Sequence, residues 1–293
     1  MATTKWLWGL CVAFALSGPA FAQPAEAPPP PAKKAKKDRG KKRKPPVDLS
    51  AEVAALNGAD LEPAAKAAET LGASAEPAAH DALLDALALG LPPAVTSNVF
   101  TALVKHPAPA DVAALRRYAR HHTPTVRSAA IGALAMYPDP NARLAVVAGL
   151  HDPVASVRAA AAAAAGKGRM RDAVEPMLKL LAKGEEASAR ALAVMADTEL
   201  ARKLADQLGK VPEASLALAL GLILKRPDFG PDPERVEIVR AIAKIADASA
   251  VTALTDYLDA TPKNPPRPSR QEAQGVVEAR LGGSPDKQDG RKQ

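Results

Sequence analysis

Pro124-Thr125-Val126-Arg127-Ser128-Ala129-Ala130 returns 31 residues later as Ala155-Ser156-Val157-Arg158-Ala159-Ala160-Ala161, and the Val-Arg pair has a third counterpart in Ala189-Arg190. Thirty-one residues before Pro124 stands Pro93-Ala94-Val95, and 30 before that Pro63-Ala64-Ala65. A fixed interval of this size marks an array of stacked units rather than one closed core. Such an array offers a binding surface before it offers a catalytic cleft.

Outward from that stretch, apolar residues recur at helical spacing between Pro, Gly and Asp punctuation. A short helix capped by Ser50 runs to Leu56 and stops at Asn57-Gly58. Paired segments follow: Leu61–Leu71 with Glu76–Leu89, Pro93–Lys105 with Ala110–His121, and Pro124–Met136 with Pro140–Leu150. Then come Ala155–Ala165 with Arg171–Ala182 and Ala187–Ala196 with Thr198–Leu208. After Pro212–Leu224 the Pro-rich stretch 226–233 interrupts the interval, and Glu234–Ile245 and Ala248–Leu258 resume it. Pro at the first helical position costs no hydrogen bond, because that N–H has no intrahelical partner. Residues 262–293 return to Pro, Gly and charge and read as a mostly disordered tail, with a short helix over Arg270–Leu281 as the one ordered element.

Only nine aromatic residues occur, and four of them (Trp6, Trp8, Phe14, Phe21) lie in the first 22 positions. A core built with Phe100, Tyr118, Tyr137, Phe229 and Tyr257 as its rings must pack mainly Ala, Leu and Val, which suits closely approaching helices and disfavours sheet. The net charge of +7 is localised. Lys33, Lys34, Lys36, Lys37, Arg39, Lys41, Lys42, Arg43 and Lys44 against Asp38 place +8 in twelve residues; Lys5 and Glu26 cancel, so residues 45–293 carry −1. A near-neutral body lacks the broad basic face of a duplex-binding domain, and no aromatics interleave the basic run for stacking on single strands. Nucleic acid is therefore not the expected partner.

Residues 1–22 read as a secretory signal peptide: Lys5 and the amino terminus form the positive region, Trp6–Leu16 the apolar run, and Ala20-Phe21-Ala22 an A-x-A site before Gln23. Eleven apolar residues are too few to span a bilayer, which takes about 20. A periplasmic or secreted location follows. The sole cysteine, Cys11, leaves with the signal, so no disulfide, cysteine nucleophile or cysteine-bound metal is expected in the mature chain. Residues 23–47, Pro-rich and then Lys-rich, bury nothing and are predicted to form a disordered linker; the ordered array is placed at 48–261.

Asp152-Pro153-Val154-Ala155-Ser156-Val157-Arg158-Ala159-Ala160-Ala161, followed by Ala173-Val174-Glu175-Pro176-Met177-Leu178-Lys179-Leu180-Leu181, resembles the HEAT repeat in its short-period bacterial, lyase-type form. Pro124–Leu150 is nearly as similar, and the resemblance spans about residues 60–259. It implies an all-α fold, a right-handed α-solenoid of HEAT-like helical hairpins (armadillo-like). It also implies a ladder in which an Asp of the turn preceding the first helix pairs with that helix's Arg between repeats. Arg127, Arg158 and Arg190 would be the Arg series and Asp152 the Asp; His121 and Gly184 occupy the other Asp places, which leaves the ladder incomplete. Some members of the family are bilin lyases and others bind iron through His-Glu dipeptides. No His-Glu dipeptide occurs here, so the metal-binding branch is not implied.

A search for chemistry finds little. His121, His122 and His151 flank successive repeats but lack the converging ligands of a metal site. Gly166-Lys167-Gly168-Arg169 lacks phosphate-loop spacing and reads as a helix end. Glu185-Glu186 reads as a capping or solvated pair before a helix. No catalytic residue, cofactor or metal is expected. The second helices of the pairs carry Arg116, Arg117, Arg120, Arg143, Lys179, Arg202 and Lys203, which form the candidate partner-binding face. The chain thus reads as a monomeric, exported, non-enzymatic scaffold for a protein partner in the cell envelope. A second reading is an electrostatic tether, residues 33–44 docking on anionic lipid or an envelope polymer; a third is a HEAT-like lyase-type enzyme.

Cleavage after Ala22 would remove Trp6 and Trp8, the only two tryptophans. The exported product should show no tryptophan emission and an intact mass beginning at Gln23; an exported chain that fluoresces as a tryptophan protein would refute the assignment.

Overall fold

The computed structural model describes residues 48–282. The signal segment with its Ala22–Gln23 cleavage site, the linker 23–47 with the nine basic residues from Lys33 to Lys44, and the end of the tail at 283–293 lie outside the described residues. The chain divides into two units, Met1–Pro46 and Val47–Gln293, and every described residue belongs to the second.

Among the described residues the chain forms fifteen α-helices, one 3-10 turn and no strand. A short α1 (Ser50–Leu56) leads into hairpins of two helices each: α2 (Leu61–Ala73) with α3 (Pro77–Leu89), α4 (Pro93–Leu103) with α5 (Pro109–Tyr118), and α6 (Pro124–Leu134) with α7 (Pro140–Gly149). Next come α8 (Ala155–Lys167) with α9 (Val174–Ala182), the 3-10 turn Arg171–Ala173 between them, and α10 (Glu186–Met195) with α11 (Thr198–Ala205). The last two are α12 (Glu213–Lys225) with α13 (Asp232–Ala243), and α14 (Ser249–Ala260) with α15 (Pro268–Gly282). Each even-numbered helix from α2 to α14 packs on the next, forming one layer; α3–α5–α7 and α11–α13–α15 pack in the second. This is an α-solenoid. No helix of the described residues is long and apolar enough to cross a membrane.

Local chemistry sets the helix starts. Pro occupies the first turn of α3, α4, α5, α6 and α7. Asp139 accepts from the Asn141 and Ala142 N–H groups to start α7, and Asp197 accepts from Leu200 N–H to start α11, each satisfying donors that a helix leaves orphaned. At α1 the cap differs from expectation: Ser50 is the first helical residue, and its N–H donates to Asp48 at 3.0 Å. A carboxylate accepts more strongly than a hydroxyl at a helix N-terminus, and Asp48 is held below its usual pKa by its bonds to Ser50.

The even layer is tight because glycine meets alanine across its junctions. A Cβ on Gly72 of α2 would lie 2.4 Å from Ala102 Cβ, one on Gly166 2.9 Å from Ala191 Cα, and one on Gly221 2.8 Å from Ala253 Cβ. The stretch 166–169 ends α8 as read from the sequence, with Gly168 at the C-cap and Arg169 left-handed at φ 46°, and Gly166 in the last turn also serves packing. Around these contacts Leu, Val and Ala form one continuous buried cluster from Leu56 to Val277. All five aromatic residues named above from position 100 onward are buried in it.

The C-terminal segment departs from the sequence expectation. The helix expected over Arg270–Leu281 is present as α15, Pro268–Gly282, but it packs on α13 and α14 as the second helix of the last hairpin and not as part of a tail. Ser269 is fully buried; its N–H and Oγ both donate to Asp232, and Tyr257 Oη lies 2.7 Å from Ser269 Oγ. Arg280 donates to the carbonyls of Ala243 and Ile245. Only Ala273 and Val277 supply buried apolar surface, so polar ties substitute for the hydrophobic stripe that would have marked the helix as part of the array.

Two glycine substitutions separate packing from propensity. Gly166→Ala forces a methyl against Ala191 backbone and should destabilise the protein by about 1–3 kcal/mol. Gly132→Ala, on the open face of α6 with nothing within 4 Å, should stabilise it by about 0.5–1 kcal/mol. Denaturant melts of the two variants should shift in opposite directions; shifts of the same sign would contradict the packing assigned to Gly166.

Candidate functional site

The repeated arginines bridge hairpins by one geometry used twice. Arg127 Nε and Nη2 donate to the two carboxylate oxygens of Asp152 at 2.7 and 2.8 Å, while Nη1 donates to the carbonyls of His121 and His122. Arg158 does the same one repeat later: Nε donates to Glu185 at 2.8 Å, and Nη1 to the carbonyls of Asp152 and Pro153. Each arginine thus gathers the turn before its own helix and an acid from the turn before the next one. Asp152 serves Arg127 through its carboxylate and Arg158 through its carbonyl, which reverses the pairing direction read from the sequence. Glu185, read as a cap or solvated acid, is the second rung. Arg190 leaves the series: it is exposed and pairs with Glu186 on its own helix at 3.2 Å. The connection before α12 holds one carboxylate, Asp206 at the C-terminus of α11, and Arg190 does not pair with it.

A buried polar cluster lies at the other ends of the helices, by the turns inside the hairpins. Asp111 is fully buried, and its carboxylate meets His80 Nε2 at 2.7 Å and accepts from Tyr137 Oη and Ala108 N–H, each at 2.8 Å. Burial first, and then the bond to Asp111, pushes the Tyr137 hydroxyl well above its usual pKa. His80, Asp111 and Tyr137 come from three successive hairpins, so the cluster works as a tie; their legible signal was the repeat-length spacing of 31 between His80 and Asp111. Similar ties cap helix ends across hairpins: Tyr118 Oη and Arg117 both donate to Leu87 O, and Arg226 donates to Ala193 O and Ala196 O. Arg226 also holds Asp228 to a pKa of about 2.

The seven residues of the expected partner-binding face do not form one stripe. Arg117 is turned to Leu87 O and the Tyr118 ring. Arg143 pairs with Asp172 at 3.6 Å, Arg202 with Glu237 at 3.5 Å, and Lys203 with Glu175. Lys179 is exposed on α9. Arg116 and Arg120 remain, lining with Arg127 and Asp152 a groove of about 300 Å³ between α5 and α7. A larger groove of about 450 Å³ lies between α11 and α13, where Arg202, Arg240 and Lys244 alternate with Asp206, Glu234 and Glu237.

The histidines beside the ladder stack rather than converge. The His121 ring stacks on Tyr118 and lies 4.1 Å from that of His122, and its Nδ1 accepts from Thr123 N–H. Burial, with His122 and Arg127 nearby, lowers its pKa. Among the described residues no three His, Cys, Asp or Glu side chains are grouped to hold a metal ion.

Residues 118–196 match the family model described as HEAT repeats. They are HEAT repeats, and they contain the whole ladder from Arg127 to Glu185. No curated protein matches the sequence. Among solved structures, the CpcE–CpcF complex of phycocyanin lyase from Nostoc aligns over 83% of this chain and 98% of its own, at 22% identity and a TM-score of 0.43. A Kap121p mutant aligns over 78% and 29%, at 11% identity and a TM-score of 0.48. Human deoxyhypusine hydroxylase aligns over 80% and 96%, at 17% identity and 0.38.

Asp152 is held below its ordinary pKa first by the Arg127 hydrogen bond, against the opposing effect of burial. A carboxyl depressed in the folded state contributes stability above its unfolded pKa of about 3.9, and that contribution fades as pH falls through the folded value. Asp152→Asn should therefore be less stable than the wild type at neutral pH, with the difference shrinking below about pH 4. Paired melts across pH 2–7 check this; a pH-independent difference would remove the ion pair as its cause.

Proposed function

We propose that the chain is an exported, non-enzymatic scaffold of the cell envelope whose stacked hairpins bind a protein partner. HEAT repeats support protein–protein interaction in general, because a stack of similar hairpins exposes an extended surface made from one helix of each. The observation that carries this reading is the ladder with its neighbouring ties. Arg127, Asp152, Arg158, Glu185 and the fully buried Asp111 are engaged in holding hairpins together, and the buried Arg235 ties α13 to the end of α12 within one hairpin. Chemistry would need such groups unengaged and converging on a cleft. The lyase-type reading would require a catalytic constellation of that kind.

The basic run 33–44 favours a second role compatible with the first. Nine cations in twelve residues repel one another and gain from an anionic counter-surface, by about 1 kcal/mol for each residue near it. On this view the run tethers the solenoid to anionic lipid or polymer while the helices bind the partner.

An affinity pull-down from envelope extracts, using mature protein with and without residues 33–44, tests both roles. Replacing the nine Lys and Arg residues with Gln should leave folding and partner capture intact and weaken envelope association, and the wild-type association should fall as salt rises past physiological strength, where screening acts within about 8 Å. Equal, salt-insensitive association of both proteins would eliminate the tether. A solenoid that captures no protein would eliminate the scaffold.

A further inference from the structure

We propose that the groove between α5 and α7 docks an acidic, leucine-bearing helical segment of a partner protein, with Arg116 and Arg120 receiving its carboxylates. The proposal rests on the scaffold reading and narrows it to one face and one chemistry.

From α7 onward, charged side chains of the second layer meet across the junctions: Arg143 with Asp172, Lys203 with Glu175, Arg202 with Glu237, and Arg240 with Glu272. Among the described residues no such ion pair joins α5 to α7. With Arg267, Arg116 and Arg120 are the only arginines among the described residues that make neither an ion pair nor a side-chain hydrogen bond to another described residue. Arg116 lies in the last turn of α5 and Arg120 in the turn just after it, where its N–H donates to Arg117 O at 3.1 Å, and both side chains line the groove. The facing wall, on α7, presents Leu144, 65% exposed, and Ala148, again four apart. Ala119 and Ala145 supply small side chains between the walls. The one carboxylate lining the groove, Asp152, is already held by Arg127.

A cationic wall therefore faces an apolar one, with no free anion between them. Guanidinium groups bind carboxylates through paired N–H donors, and more strongly where the site excludes water. Glutamates four apart on a helix present two carboxylates on one side, to meet the two arginines that line one wall of the groove. A leucine on the adjacent face of that helix would cover Leu144. At about 300 Å³ the groove admits inserted side chains rather than a whole helix, so the partner segment lies across its rim. A nucleic acid strand would match the arginines but not the apolar wall. The rings near this end of the stack, Phe100, Tyr118 and Tyr137, are buried and cannot stack on bases.

The test uses the mature protein and a fluorescein-labelled helical peptide with glutamates four apart and leucines on the neighbouring face, followed by anisotropy. Wild type should bind it, less tightly as salt rises. Arg116→Glu with Arg120→Glu should weaken binding by about tenfold or more, Leu144→Ser should also weaken it, and Lys179→Glu should stay within about twofold of wild type. Circular dichroism checks that the variants fold; should the charge-reversed pair misfold, Arg116→Gln with Arg120→Gln takes its place. The proposal is overturned if wild type ignores the peptide up to about 1 mM, if a glutamine–leucine peptide binds as well, or if Lys179→Glu matches the double variant. Tighter binding of a single-stranded oligonucleotide at the same arginines would also overturn it. In the envelope pull-down, a partner retained by the double variant sinks the groove and spares the scaffold; no captured partner, with peptide binding intact, does the reverse.

Discussion

A two-helix hairpin has no interior, and this fold depends on that constraint. The apolar side of each even-numbered helix leaves water only when the next hairpin covers it, so stability is carried by the junctions. The distance across each junction is set by its smallest side chains. Gly72 against Ala102, Gly166 against Ala191 and Gly221 against Ala253 bring the backbones close enough for Leu, Val and Ala to fill the layer almost without rings. The low aromatic content follows from this geometry, since large side chains would hold the helices apart; of the five rings, Phe100 and Tyr257 lie within α4 and α14, and Tyr118, Tyr137 and Phe229 lie at helix ends or turns.

Close packing alone would let one hairpin slide on another, because apolar contact is non-directional. Directional ties restrict the sliding. Arg127 and Arg158 each reach two carbonyls and an acid in different turns, and the Asp111 carboxylate joins groups from three hairpins. The same economy of charge shapes the outer surface. Where acids and bases of adjacent second-layer helices match, the surface is internally neutralised; where they do not, at α5, two arginines and an exposed leucine remain available to another molecule.

How much was legible follows from where the information resides. Helix positions were, because punctuation by Pro, Gly and Asp and the return of Val-Arg are local features of the chain; the bounds of α2 to α14 fall within a few residues of those read from spacing. The end of the array was not, since α15 has only Ala273 and Val277 as its apolar stripe and is held by Ser269, Arg270 and Arg280 bonding to residues up to 37 positions earlier. Nor was the face of the second helices. Seven cations could be named from the sequence, but whether each meets an acid depends on helix rotation and on the neighbouring hairpin.

The sequence by itself determined the class of fold, the repeat length and two of the arginines at the joints, Arg127 and Arg158, because period, helix propensity and proline placement act within one or two turns of chain. Only the tertiary structure decided that Asp152 answers Arg127 rather than Arg158, that Glu185 continues the ladder while Arg190 leaves it, and that Arg116 and Arg120 face an apolar wall. Those outcomes depend on which side chains are brought within about 3 Å across a junction, and residues roughly thirty apart in the chain have no such distance until the hairpins stack.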